Sequence, residues 1–532
     1  MAELQEKPSR IDTNDKKDKS NPDALNEDDA QTNVSSPEDD LVLDGVEPVY
    51  AAKAGVLNQA INDIGMGRYQ WQLFCVAGFG WAQDNLWLIL TSLILSPVAN
   101  EFNIGQPALL TLSQNIGLCA GAAFWGLGAD IFGRKWAFNL TLGVTTVFAL
   151  AAAGSPNFAM IAVFDAFWSF GVGGNMPVDS ALFLEFVPQS HQYLLTVLAS
   201  FWAISQLIVT GVAWGLLGKF TCEEDAVTCL KGDNMGWRWL LLSMGGLCGL
   251  MWFLRFGCFQ MYESPKYFMG KGKDEEAVRI VHEIARRNGK ESTLTVEDLK
   301  ACEIYGSEDQ QVETNTKAAF KRKLRSLGGE HISRLFASKK LGFSSGMIIL
   351  IWGFIGLAFP LYNNFIPYTL AKKGAAYGDG STYITYRNSC IIAVLGVPGA
   401  ILGGYLVEIN RLGRKGTLSV SAILTGVFIF GSSTALTSNS LLAWNCVYSF
   451  VSNIMYAVLC AYTPEIFPTR DRGTGNALAA ITNRFMGVMA PIIAMFANLE
   501  SSAPVYTSGA LFIAAGLFTL ILPYESRGKT AL

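Results

Sequence analysis

Blocks of about twenty apolar residues recur along this 532-residue chain, and no other feature restricts its fold as much. Coiled at 1.5 Å per residue, such a block spans roughly 30 Å of hydrocarbon. Within lipid every backbone N–H and C=O must find its partner inside the segment, so repeated blocks of this kind imply membrane-crossing helices. Twelve are read, at about 70–96, 107–128, 136–155, 158–180, 193–217, 237–260, 342–370, 383–405, 416–436, 441–463, 475–498 and 503–523. The signal is weakest over 158–180 and 441–463, which carry Asp165 and Asn445. Only 16% of residues are charged, and 53 are Gly, a residue that lets membrane helices approach closely.

The composition excludes several functions. A net charge of −4 offers nucleic acid no basic surface. His191, His282 and His331 are too dispersed to bind zinc, and no cofactor motif is present. Gly171–Gly174 has neither the preceding strand nor the Lys of a phosphate-binding loop. Without a metal cluster or a nucleophile–base pair, an enzyme is not expected. Most of the ten cysteines, such as Cys75, Cys119 and Cys248, lie in apolar stretches. Cys222 and Cys229 lie in a polar loop, where an oxidising compartment would join them and a reducing one would leave two thiols.

The expected organisation is a disordered tail (1–65), a six-helix bundle (66–264), a charged linker with amphipathic helices (265–340), a second bundle (341–524) and a short tail (525–532). No secretory signal peptide is read at the start. Within the linker, 273–288 has the apolar period of an amphipathic helix, and Lys321, Arg322, Lys323 and Arg325 form a basic run. Arg134, Lys135, Arg411, Arg414, Lys415, Arg470 and Arg472 fall in loops on one side; Lys219, Lys231, Lys372 and Lys373 are exceptions on the other. Basic residues concentrate in cytosolic loops, which places both termini in the cytosol.

The halves also repeat. Gly133-Arg134-Lys135 returns as Gly413-Arg414-Lys415, and Glu185-Phe186-Val187-Pro188 as Glu465-Ile466-Phe467-Pro468, each 280 residues later. One offset shared by two unrelated motifs implies two related bundles with a site between them near the bilayer midplane.

These motifs carry a resemblance. Gly126–Lys135, with Asp130, Gly133 and Arg134, resembles the loop 2–3 signature of the major facilitator superfamily. Tyr462–Gly473 is similar to the sugar-porter signature after span 10, and Tyr262-Glu263-Ser264-Pro265 and Tyr524–Gly528 fit that subfamily. Gly171–Asp179 followed by Phe183–Phe186 resembles the fungal branch related to synaptic vesicle glycoproteins. The likeness covers about residues 60–530. It implies an all-α fold of twelve transmembrane helices in two pseudo-symmetric six-helix bundles. Two departures stand out: Asp165 occupies a position where relatives carry Arg, and Gln206, Asn363 and Asn364 replace the paired glutamines that contact sugar hydroxyls. The second argues against a hexose.

A charge at membrane depth costs at least about 2.5–3.5 kcal/mol, so Asp84, Asp165 and Arg484 are read as proton-coupling or substrate residues. The resemblance associates an acid in span 1 with proton coupling. Arg484 fits an anionic group of the solute, or an ion pair with Asp84 or Asp165. Arg255 is read as snorkelling from the end of span 6, and Asp179 as structural. Trp81, Gln83, Asn85, Trp202, Gln206, Tyr362, Asn363, Asn364 and Asn453 are candidate cavity-lining residues, with packing as the alternative. Asp130, Arg134, Glu185, Arg414, Glu465 and Arg472 are candidate gate residues on the cytosolic side, a reading that leans on the resemblance. The expectation is an alternating-access transporter of a small polar solute, carboxylate or sugar-like, by proton symport. Its expected partners are that solute, H+ and the lipid bilayer, with the chain a monomer in the plasma membrane or, alternatively, an endomembrane. The competing reading is a non-transporting sensor or trafficking protein on the same fold.

Overall fold

A computed structural model describes residues 48–192, 194–223, 229–305, 335–336, 338–377, 381–407, 409, 412–467, 472–496 and 502–523. The side chains of Asp130 and Arg472 lie outside the described part, as do the basic run 321–325 and the Arg470 loop. Among the described residues the chain is helical, without a strand.

All twelve expected spans fall on helices. They are α2 (Arg68–Phe102), α3 (Ala108–Phe132), α4 (Arg134–Ala152), α5 (Phe158–Phe186), α6 (Ser200–Leu216) and α7 (Gly236–Phe253) in the first half. The second half has α11 (Lys339–Asn363) with α12 (Ile366–Ala376), α13 (Thr382–Leu406), α14 (Gly413–Ser433), α15 (Ser438–Ile466), α16 (Arg472–Phe496) and α17 (Ala503–Ile521). Among the described residues, ten helices are long and apolar enough by themselves to cross a membrane. The other two spans are α6, which has 17 residues, and α5, which carries Asp165, Asp179 and Glu185. Asp165 and Asp179 are tolerated because they face α2, α3 and α4 and are fully buried, while Met160, Val163 and Phe167 take the exposed side of the same helix.

The two halves are built alike. In the first, α5 packs on α3 and α4; in the second, α15 packs on α13 and α14. Glycines provide close helix approaches in each half. A Cβ on Gly117 or Gly121 would overlap the carbonyls of Ala166 or Phe170, and one on Gly399 would overlap that of Phe450. Between the halves, α6 meets α13 and α3 meets α16. Numbered as spans, these are 5 against 8 and 2 against 11. Exchanging the halves turns one pair into the other, as a two-fold axis along the membrane normal requires.

Span 7 is interrupted. Pro360 lies within its first part, but the break falls at Asn364: Pro367, in the first turn of α12, has no N–H to give the Asn363 carbonyl, and the chain turns at Asn364 before restarting as α12. The Ser92 hydroxyl of α2 donates to the Asn364 carbonyl at 2.6 Å, so a group of one half satisfies the broken backbone of the other.

The tail expectation is corrected at its end, where residues 48–64 form helix α1 (Pro48–Ile64). Leu57, Ala60, Ile61 and Ile64 recur at helical spacing and are buried against the linker. Lys53 Nζ lies 2.5 Å from Asp274 and 2.9 Å from Glu303. The linker supplies α8 (Pro265–Met269), the expected amphipathic helix α9 (Asp274–Arg287), and α10 (Val296–Ala301). Helix α9 buries Ala277, Val278, Ile280, Val281, Ile284 and Ala285.

Candidate transport site

Asp84 and Arg484 lie 400 residues apart, on α2 and α16, and the fold brings them together across the interface of the halves. Arg484 Nη2 donates to Asp84 Oδ1 at 2.8 Å. The Asp84 side chain is 3% exposed and that of Arg484 20%, so the pair is buried at the acid and opens toward the guanidinium.

One turn before Asp84, Trp81 faces Trp202 of α6 at a ring-centre distance of 5.6 Å. Both indole N–H groups are buried without a partner among the described residues. Asn85 ties the two helices together, its amide donating to the Trp202 carbonyl at 2.9 Å. Gln206, one turn further along α6, is half-buried. Two unmet donors beside an inter-half ion pair form a spot where an acceptor group would be welcome.

Other candidates point elsewhere. Gln83 faces the interior of the first half, accepting from Trp87 Nε1 at 2.5 Å and donating to Met251 Sδ at 3.0 Å. Tyr362 is spent inside the second half, on Ser432 (3.1 Å) and Asn445 (2.9 Å). Asn453 donates to the Ser449 carbonyl at 2.8 Å. Asn363 and Asn364 stand at the break in span 7, where their carbonyls face Ser92 at 3.4 and 2.6 Å.

Asp165 joins neither Asp84 nor Arg484. It is fully buried, with the hydroxyls of Ser169 at 3.1 Å and of Thr91 and Ser113 at 3.5 Å, and no cation pairs with it among the described residues. The reading of Arg255 as snorkelling is corrected. The residue is fully buried, pairs with Asp179, and stands 3.1 Å above the centre of the Phe138 ring. Arg255 stands in a π-turn, Leu254–Cys258, that ends the helix. Gly80 of α2 makes room for that Asp179 carboxylate, since a Cβ there would overlap it.

Of the gate residues, Arg134 pairs with Glu185, and Arg414 with Glu465 at 2.8 Å. Both contacts bridge the start of one helix and the end of another within one half, at the same 280-residue offset. Glu263, which lies within the Tyr262-Glu263-Ser264-Pro265 motif, adds a contact to this end of the first half. It accepts the N–H groups of Arg134 (2.9 Å) and Lys135 (3.1 Å) and so caps α4 with a negative charge where the helix dipole favours one. Burial outweighs these donors and holds its carboxyl above the ordinary range. On the opposite face, Arg238 grips Glu101 through both terminal nitrogens, at 2.8 and 2.6 Å. Cys222 and Cys229 are joined, with a Cα separation of 5.9 Å. Their neighbour Glu223 accepts from the Thr382 N–H at 2.8 Å, at the start of α13.

Two pseudo-symmetric six-helix bundles with a charge pair held between them define a polytopic membrane protein. Residues 103–531 match the model of the "Sugar (and other) transporter" family. A "MFS siderochrome iron transporter 1" of Ceriporiopsis subvermispora is 50% identical, over 97% of this chain and 98% of that protein. A "Major facilitator-type transporter hxnZ" of Emericella nidulans is 40% identical over 91% and 88%, and a "Niacin transporter NiaP" of Acinetobacter baylyi 27% identical over 88% and 97%. The partially occluded, inward-open xylose transporter XylE of E. coli shares the fold at a TM-score of 0.63 and 18% identity, covering 87% of this chain and 99% of that one. The chain therefore belongs to the sugar (and other) transporter family of the major facilitator superfamily.

Proposed function

We propose that this protein is a proton-linked symporter of a small carboxylate-bearing solute, working by alternating access. The reading rests on the Asp84–Arg484 contact between the two halves. An incoming carboxylate competes with Asp84 for the guanidinium, which binds planar carboxylates well. Asp84, released into an apolar setting, then takes a proton, because an isolated carboxylate there is too costly. Solute and proton thus load together, and the bundles rock around them. The unpartnered indole N–H groups of Trp81 and Trp202 supply donors for the solute. Asp165, set apart among hydroxyls, serves as a second proton site of the first half.

The family relationship supports transport, and the niacin named for one relative is itself a ring-bearing monocarboxylate. The siderochrome named for another makes a ferric chelate the second solute class to test. Arg134–Glu185 and Arg414–Glu465 act as paired latches on the cytosolic face. The excess of basic residues in the loops on that face supports cytosolic termini, and we assign the monomer to the plasma membrane.

Purified protein in liposomes, given an inward proton gradient and a panel of monocarboxylates, sugars and ferric chelates, tests the reading. Gradient-driven uptake of a monocarboxylate that disappears in Asp84→Asn is expected. No uptake of any compound would favour a non-transporting role, and uptake indifferent to the gradient would remove the proton.

A further inference from the structure

At the end of the bundle that carries the Arg134 loop, a cavity of about 620 Å³ opens between three elements. They are the start of α2, the π-turn ending span 6, and the last turn of α9. Its lining is mainly polar and holds two cations, Arg68 and Arg287, together with Gln72, Cys258 and Gln260, and no acid. Arg287 is oriented by Gln260 and by the Tyr262 ring, 4.9 Å from its guanidinium, with Glu283 more loosely placed at 3.6 Å. Arg68 is exposed.

The surroundings fix what such a cavity faces. Trp71, Phe253 and Phe256, beside it on α2 and span 6, are 49%, 62% and 59% exposed. Large aromatics exposed at the ends of membrane helices lie at the boundary between hydrocarbon and headgroups. Beyond the cavity, α9 is charged on its outer face, with Arg286 of that face 76% exposed. The basic cavity therefore sits at headgroup depth, aromatic on its hydrocarbon side and polar on its aqueous side.

We infer that this cavity binds the phosphate-bearing headgroup of an anionic phospholipid from the adjoining leaflet, through Arg68 and Arg287. Charge complementarity selects an anion, and the aromatic rim selects one with acyl chains attached. The lipid then adds to the ties between the linker helix α9 and spans 1 and 6, which also meet there through Arg287 on Gln260 and through Asn288, whose amide donates to Gln70 at 2.7 Å and accepts from the Tyr69 N–H at 3.0 Å.

Cys258 lines the cavity and is an exposed thiol, so its modification reports occupancy. The full-length protein is placed in nanodiscs of phosphatidylcholine with or without phosphatidylinositol, and maleimide labelling of Cys258 is followed by peptide mass spectrometry. Phosphatidylinositol should slow labelling. Arg68→Gln and Arg287→Gln should each weaken that protection about fivefold, the factor carried by one basic residue at an anionic membrane surface. Arg286→Gln, outside the cavity, should leave it unchanged. Equal labelling in both lipids, or protection that survives Arg68→Gln/Arg287→Gln, overturns the assignment. Equal protection by soluble inositol phosphate in phosphatidylcholine also overturns it, since the site would then serve a dissolved anion.

Discussion

Replacing Arg484 by Gln strips Asp84 of its partner and leaves a carboxylate on a side chain that is 3% exposed. Breaking a buried ion pair from one side costs about 3–5 kcal/mol. An upper limit follows independently from the proton. An unpaired Asp84 escapes its charge by protonation, which at pH 7 costs a carboxyl of ordinary pKa ~3.9 about 3.1 × 1.36, or roughly 4 kcal/mol. That limit falls by about 1.4 kcal/mol per pH unit, to roughly 1.5 kcal/mol at pH 5. The sign is set by linkage. The folded variant holds a proton that the unfolded chain releases, so its stability falls as pH rises. Thermal unfolding of the detergent-solubilised protein at pH 7 and pH 5 reads this directly. Arg484→Gln should show a clear deficit at pH 7 that shrinks by more than half at pH 5, relative to the parent at each pH. Asp84→Asn/Arg484→Gln should recover most of the loss at pH 7, because no buried charge remains. A deficit indifferent to pH, or a double variant as unstable as Arg484→Gln, would refute the pairing.

Two further outcomes are expected. Hydrogen bonds from Arg286 and Tyr262 pull the Glu283 carboxyl down to about 2 from its ordinary 4.5. The grip of α9 on Tyr262 is therefore complete above pH 4.5 and fades as pH falls toward 2. Amide protection over 262–287, taken relative to the intrinsic exchange rate at each pH, should fall across that window in the parent, and Glu283→Gln should remove that fall. Gly117→Ala drives a methyl group into the Ala166 carbonyl and should cost about 1–3 kcal/mol in thermal unfolding, whereas Gly246→Ala, with open space around it, should be neutral.

The spans were legible because the lipid requirement acts on each segment alone: twenty apolar residues announce a helix whatever their neighbours. The pairing of halves was legible because Arg134 and Glu185 return unchanged as Arg414 and Glu465. Helix α1 was overlooked although Leu57, Ala60, Ile61 and Ile64 spell out a helical face. The polar residues around them dominate the composition, and the partner that rewards ordering, the linker, lies more than 200 residues away. Side-chain direction was the least legible. Neighbouring positions on a helix point about 100° apart, so Gln83, Asp84 and Asn85 could not all face one cavity. Only packing shows that Gln83 turns to Met251 and Asp84 to Arg484. Arg255 was misjudged for the same reason, because nothing local reveals that Asp179 and Phe138 surround it.

The interrupted helix of span 7 has a consequence for energetics. The Asn364 carbonyl, freed by the break, is satisfied by a hydroxyl belonging to the opposite half. Any rearrangement that parts α2 from α12 strands that oxygen in a region where lipid offers no donor. In the proposed alternating-access cycle, solvent would have to enter as the seam opens and leave as it closes, so each turnover would carry a small, fixed exchange of hydration, and drying the medium would favour the sealed form.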